Sequence, residues 1–304
     1  MSRILVIKLA ALGDFVQGFG PFAAIRAYHP GARITLLTTP PFAGLAEASP
    51  WFDEVWADGR PGWLDLPGVV RLAWRLRGAG FARVYDLQTS DRSSRYRMFV
   101  GGAAEWSGIA RGASHPDADP GRDALHTADR QRGQLLAAGI SAFPAPALDW
   151  LGTDTAGFAL PARYALLLPG ASSTRPGKRW PSACFAELAS RLEGPVVVCG
   201  GPAERVLGQE IAAAAPGTLD LTGRTDLRQL AGIARGAWLA VGNDSGPTHL
   251  AAAAGCPTLA LFGAESDPAL CAPRGNVLVL RHQPLTGLSV ASVLAASSAV
   301  SVRD

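Results

Sequence analysis

The chain has 304 residues and a mass of 31.6 kDa, a length that suggests two domains. Apolar residues make up 48% and charged residues 17%, which excludes a disordered or solvating chain. Lysine and arginine total 28 against 25 acids, a formal charge of +3 with no run of like charge, so a nucleic-acid arm is not expected.

Short apolar runs alternate with helical patterns along the first half. Strands are expected at 4–7, 33–37, 55–57 and 83–87, and helices at 15–28, 42–48, 69–77 and 127–138. The segment 110–121 is rich in turn formers and reads as a surface loop. A proline- and glycine-broken stretch at 150–162 reads as an interdomain linker. The alternation then restarts. Strands are expected at 164–168, 195–199, 238–241, 258–262 and 277–280, and helices at 182–192, 204–214, 227–234, 249–254 and 289–302. Continuous apolar strands between helices predict parallel sheets covered on both faces. The expected fold class is α/β, with two doubly wound, Rossmann-like domains facing a central cleft. In such folds ligands sit at the carboxyl ends of strands.

Cys184, Cys199, Cys256 and Cys271 have neither CxxC nor zinc spacing. They read as small buried hydrophobes in a reducing compartment. The N-terminus lacks the pattern of a signal peptide, and no apolar run reaches 18 residues. A soluble cytoplasmic protein is expected, one that could sit peripheral to a membrane.

Four strand-to-helix turns could carry chemistry. In Lys8–Asp14 the aspartate either caps a helix or serves as a carboxylate that accepts a proton. The turn after residue 168 holds Ser172, Ser173, Thr174, Arg175, Lys178 and Arg179, the small residues, hydroxyls and cations that a pyrophosphate needs. In Gly200–Glu204 the glutamate either caps a helix or accepts hydrogen bonds from a ribose. The most specific turn is Gly242-Asn-Asp-Ser-Gly-Pro-Thr-His249, in which Asp244, Ser245, Gly246 and His249 open a helix whose dipole favours an anion. Neither GxGxxG nor a Walker A loop is present, which argues against a nicotinamide dehydrogenase or a P-loop enzyme.

Taken in order, Lys8–Asp14, Pro169–Phe185, Gly200–Glu204, 221–227, 242–251 and 261–263 resemble glycosyltransferase family 9, whose best-known members are ADP-heptose:lipopolysaccharide heptosyltransferases. The resemblance implies the GT-B architecture, with a domain for the acceptor at 1–158 and one for the nucleotide sugar at 159–286. It also implies that the C-terminal helix at 287–304 packs on the first domain. It implies an inverting transfer that uses no metal and no cofactor beyond the donor. By the same resemblance Asp14 is the general base, and Lys178 with Ser172 and Ser173 lies near the diphosphate and sugar. Glu204 matches a ribose contact, and Asp244, Ser245, Gly246 and His249 match the donor-binding helix start. Lys8, Asp86, Gln88 and Arg92 are candidates for the acceptor, a lipopolysaccharide core or related glycan. Peripheral contact with the inner membrane is a further expectation. Gln17-Gly-Phe-Gly-Pro21 departs from the family's usual His-Thr-Leu-Pro, which bears on the acceptor more than on the donor. Two other readings remain open, a transferase using another nucleotide sugar and a protein that binds such a sugar without turnover.

Overall fold

The computed structural model describes residues 1–62 and 64–300, in two compact units, Met1–Trp150 and Leu151–Asp304. In the first unit the chain runs β1 (Arg3–Ile7), α1 (Leu12–Val16), α2 (Phe19–Tyr28), β2 (Arg33–Leu37), α3 (Pro40–Glu47) and β3 (Glu54–Trp56). It continues with α4 (Leu66–Gly78), β4 (Arg83–Asp86), α5 (Asp91–Val100), β5 (Glu105–Gly108), β6 (His115–Pro116) and α6 (Thr127–Ala137). The strands form one sheet in the order β3-β2-β1-β4-β5-β6, with every pairing parallel. The sequence Arg-Ile-Leu-Val-Ile of β1 is apolar at both alternations because helices cover both faces, and Ile4, Leu5, Val6 and Ile7 are all buried.

The expected helix at 15–28 is two helices, broken at Gly18. A side chain there would meet the Phe22 ring at 2.8 Å and the Phe15 carbonyl at 2.9 Å. The bend brings Phe15 and Phe22 to a ring separation of 5.5 Å. The turn-rich segment 110–121 contains the short edge strand β6, and α5 and β5 leave no readable signal in the sequence. Helix α5 is Asp-Arg-Ser-Ser-Arg-Tyr-Arg-Met-Phe-Val, too polar to show an apolar stripe.

The second unit runs β7 (Ala165–Leu168), α7 (Ser182–Arg191), β8 (Val196–Val198), α8 (Arg205–Ala214), β9 (Leu219–Asp220) and α9 (Leu227–Gly236). It continues with β10 (Leu239–Asn243), α10 (Gly246–Ala253), β11 (Thr258–Phe262), α11 (Pro268–Cys271), β12 (Val277–Arg281) and α12 (Val290–Val300). Its all-parallel sheet has the order β12-β11-β10-β7-β8-β9. Leu167, Val198, Val241, Leu259 and Leu261 form its core with Trp180 and Phe185, whose rings lie 4.9 Å apart.

Two expectations about boundaries change. The units part at Trp150 and Leu151, so the stretch through 162 belongs to the second unit, where Leu151 is buried. Helix α12, expected on the first domain, packs against α7, β11 and β12 of the second unit. Val290, Val293 and Val300 join that unit's core, which gives the apolar tail its burial. Residues 301–304 of the expected tail lie outside the described residues. Cys199 and Cys256 are buried as expected, whereas Cys184 and Cys271 are only half-buried. Among the described residues, no helix is long and apolar enough to cross a membrane.

The strand orders locate the sites. In each unit the chain lays two further strands to one side of its first strand, then crosses back and lays three to the other. The crossover falls between β1 and β4 in the first sheet and between β7 and β10 in the second. The loops leaving such a pair of strands diverge, and the crevice between them is where doubly wound folds bind ligands.

Candidate active site

At the first crossover, Ile7 of β1 stands opposite Asp86 of β4. The Lys8–Asp14 turn is pinned from both flanks. Thr38 and Thr39, after β2, donate from their hydroxyls to the carbonyls of Lys8 and Leu9 at 2.7 and 2.9 Å. From the β4 side, Gln88 Oε1 accepts from the N–H groups of Leu9 and Ala10 at 2.8 and 3.0 Å. Lys8 is buried and its Nζ donates to the Leu87 carbonyl at 3.0 Å. Burial pulls its pKa down to about 8, against Asp14 and Asp86, whose negative charges push it up. Asp86 has no exposed surface, and burial pushes its carboxyl up to about 7. Its Oδ1 accepts from the N–H groups of Gln88 and Thr89 at 3.2 and 3.1 Å. Thr89 adopts a φ of 44°, unusual for a β-branched residue.

Asp14 is half-buried in the first turn of α1. Its Oδ2 accepts from the Ala11 N–H at 3.4 Å, too long for a strong cap. The carboxylate therefore sits at the mouth of the β1 turn with little local demand on it.

The second crossover holds a more tightly built site. Asn243, the last residue of β10, is fully buried and clips the 169–180 loop at both ends. Its Nδ2 donates to the Pro169 carbonyl at 2.8 Å, and its Oδ1 accepts from the Trp180 N–H at 3.0 Å. The Arg179 guanidinium folds back to donate to the Ala171 carbonyl at 2.7 and 3.2 Å. A single 3₁₀ turn at Pro176–Lys178 then presents Lys178, whose Nζ donates to Asp244 Oδ2 at 2.6 Å. His249 Nε2 lies 3.8 Å from the other carboxylate oxygen, Oδ1. Burial would raise the Asp244 pKa, but His249 and Lys178 outweigh it and hold the carboxyl down at about 2. Asp244 is thus ionised and both its oxygens face cationic or donor groups.

Ser172, Ser173, Thr174 and Arg175 bulge from this pinned base into solvent, and the Ser172 and Thr174 hydroxyls lie 2.9 Å apart. Helix α10 begins at Gly246 with no side-chain cap from Ser245. Thr248 Oγ1 instead donates to the Asn243 carbonyl at 2.6 Å. That hydroxyl occupies the space that a side chain at Gly242 would need, 2.3 Å from the Cβ position. Gly263, after β11, likewise has no room for a Cβ, because the Gly177 carbonyl lies 2.1 Å from where it would be. The loop therefore rests on β10 through hydrogen bonds and on the end of β11 by close contact. Among the described residues, no group of three or more His, Cys, Asp or Glu side chains is placed to hold a metal ion.

The family model for glycosyltransferase family 9 (heptosyltransferase) matches residues 140–282, which contain this whole second site. A lipopolysaccharide core heptosyltransferase, OpsX, of Haemophilus influenzae is 25% identical over 300 residues, covering 91% of this chain and 83% of that protein. The crystal structure of a family 9 glycosyl transferase from Veillonella parvula superposes with a TM-score of 0.85 at 22% identity, covering 100% and 98% of the two chains. The structure of E. coli ADP-heptose lps heptosyltransferase II gives 0.80 at 24% identity, over 99% of each chain. The chain is similar to the family 9 glycosyltransferases, lipopolysaccharide heptosyltransferases among them, over most of its length. Its two six-stranded parallel sheets are those of the GT-B fold.

The structure brings together Lys178, Asp244, Ser245, Gly246 and His249 at one strand end, as the sequence suggested. Glu204 serves the local backbone. Its Oε2 accepts from the Gly201 N–H at 2.8 Å, and its side chain covers Gly170. Three of the four residues assigned to the acceptor are likewise committed to the interior. Lys8 and Asp86 are buried and Gln88 clamps the turn, so they shape the β1–β4 crossover from inside instead of facing a ligand. Arg92 is half-buried, with Nη1 donating to the Pro61 carbonyl at 2.7 Å. Asn243 carries no role in the sequence reading, although a polar residue ending a buried apolar strand must find partners. That requirement is the signal that could have found it.

The ion pair changes what a lysine substitution measures. Lys178→Met leaves Asp244 buried without its closest cation, at a cost of roughly 3–5 kcal/mol. The double variant Lys178→Met/Asp244→Asn should recover most of that loss in urea unfolding. The folded pKa of Asp244 lies below its unfolded value of 3.8, so its contribution is present above pH 4 and lost as pH falls toward about 2. That acid limb should vanish in Asp244→Asn. Equal stability of the single and double variants would show that the pair is not the contact that matters.

Proposed function

We propose that the chain transfers a heptose from ADP-heptose to a hydroxyl of a lipopolysaccharide core or related glycan, with inversion at the anomeric carbon and without a metal ion. The relatives support the substrate classes: OpsX is named a lipopolysaccharide core heptosyltransferase, and the E. coli structure is named for ADP-heptose. The observation that carries the reading is the arrangement at the second crossover. Exposed hydroxyls stand on a pinned loop, next to an anchored lysine and a helix start without a side-chain cap.

Each group has a role. Asp14 takes the proton from the acceptor hydroxyl. The acceptor oxygen bonds to the anomeric carbon as the bond from that carbon to the β-phosphate oxygen breaks. ADP leaves with the electron pair. The negative charge growing on the diphosphate meets Lys178, the Ser172 and Ser173 hydroxyls and the N–H end of α10. Asp244 offsets part of the Lys178 charge, so the exposed Arg175 contributes to the positive potential over the loop. Asp244 and His249 hold Lys178 in place, and Glu204 keeps the β8 turn in position for the ribose. The work is done in the cytoplasm, with the acceptor presented at the inner membrane.

Two measurements test this. The weak cap at Asp14 means that Asp14→Asn should leave the melting temperature nearly unchanged. Turnover should fall by roughly 10²- to 10⁴-fold with little change in donor affinity. Near-normal turnover would remove Asp14 from the reaction. Separately, transfer should continue in excess EDTA; a loss that added magnesium restores would overturn the metal-free account.

A further inference from the structure

Helix α4 turns an apolar line toward solvent. Leu66, Val70 and Trp74 recur every four residues, so they share one face. They are 67, 51 and 77% exposed, and Leu64, just before the helix, is exposed as well. The opposite face buries Leu72 and Leu76 in the core of the first unit, so the helix is fully docked without using this line. A folded protein seldom leaves Trp, Leu and Val together in water without a use.

The charge around the line is one-sided. Helix α4 contains Arg71, Arg75 and Arg77 and no acid. Helix α5 packs beside it and adds Arg92, Arg95 and Arg97 against Asp91 alone. Six arginines and one aspartate give these two helices a net +5, whereas the whole chain is +3, so all the rest is net −2. Arg75 is partly committed, stacked 3.9 Å over the Trp56 ring and 3.2 Å from Asp58. Arg71 lies beside the apolar line and Arg77 continues it by one turn. Arg77 Nη2 reaches the carbonyl of Met98 at 3.4 Å, and Met98 is itself an exposed apolar residue on α5.

An apolar line carrying a tryptophan and bordered by arginines, with one acid at its start, Asp65, occupied as the N-cap of α4, is complementary to an anionic lipid surface. We propose that α4 docks the first unit on such a membrane. Leu66, Val70 and Trp74 enter the boundary between headgroups and acyl chains, while Arg71 and Arg77 meet the lipid phosphates and the positive charge of α5 adds to the attraction. The proposal does not require the transfer reading, though it would hold the first unit at the surface where a lipid-borne acceptor lies.

The test is co-sedimentation of the full chain with vesicles free of any acceptor, phosphatidylglycerol-containing against pure phosphatidylcholine. The chain should bind the anionic vesicles and lose that binding at high salt. Trp74→Glu should weaken binding by about tenfold or more, and Arg71→Glu by about fivefold or more. Both variants should keep the wild-type melting temperature and the wild-type rate on a soluble acceptor lacking lipid. Absence of binding to anionic vesicles would overturn the proposal, as would equal binding by Trp74→Glu. Self-association that Trp74→Glu abolishes, with no vesicle binding, would assign the face to a second copy of the chain and also overturn it. Vesicle binding by a chain that transfers no sugar would uphold the docking face and reject the transfer reading.

Discussion

The second site depends on two consecutive residues at the end of one strand. Asn243 and Asp244 leave the sheet together, and each holds the 169–180 loop by a different chemistry. Asn243 satisfies both loop ends with neutral hydrogen bonds in a fully buried setting. Asp244 grips Lys178 through a charge-assisted bond. Neither interaction alone would fix the loop. Two hydrogen bonds, at Pro169 and Trp180, leave the stretch between them free to rotate, and one ion pair at Lys178 leaves the Pro169 end free to slide. Together they confine the exposed stretch to a few residues whose hydroxyls and arginine point outward. Binding then loses little free energy to ordering the loop.

The first unit repeats the logic with different residues. The β1 turn is held from its flanks by Thr38, Thr39 and Gln88, and from beneath by Lys8. Lys8 and Asp86 are the unusual elements, a buried amine and a buried carboxyl each shifted toward neutrality by burial. Their mutual attraction limits the cost of keeping two titratable groups buried at the ends of the two central strands. Asp14, by contrast, stays near the surface with a long, weak contact to its own turn. Interior polar residues set the shape of this turn, and Asp14 at its mouth is left lightly bound.

Much of this is legible in the sequence because parallel strands are apolar throughout and their ends are abrupt. Leu239–Val241 stops at Gly-Asn-Asp, and Ala165–Leu168 stops at Pro-Gly, so the turns announce themselves. Residue burial is harder to read. Asp86 looks like any loop carboxylate until β4 is paired beside β1, which places it opposite Ile7. Gln88 looks like a sugar contact until the β1 turn is seen to need an acceptor for two N–H groups. Helix α5 hides because it is too polar to show an apolar stripe; Ser93 and Tyr96 are its only fully buried residues. Helix α12 goes to the wrong unit on sequence alone, because apolarity shows that a helix is buried, not what buries it.

The central claim is that the pinned 169–180 loop forms the diphosphate site, and ADP affinity in Asn243→Ala tests it most directly. That substitution touches no group proposed to contact the nucleotide, yet it frees both ends of the loop. Calorimetric titration should show ADP binding weakened by about tenfold, as the lost pair of buried hydrogen bonds lets the loop disorder. A folded Asn243→Ala protein that binds ADP with wild-type affinity would contradict the account.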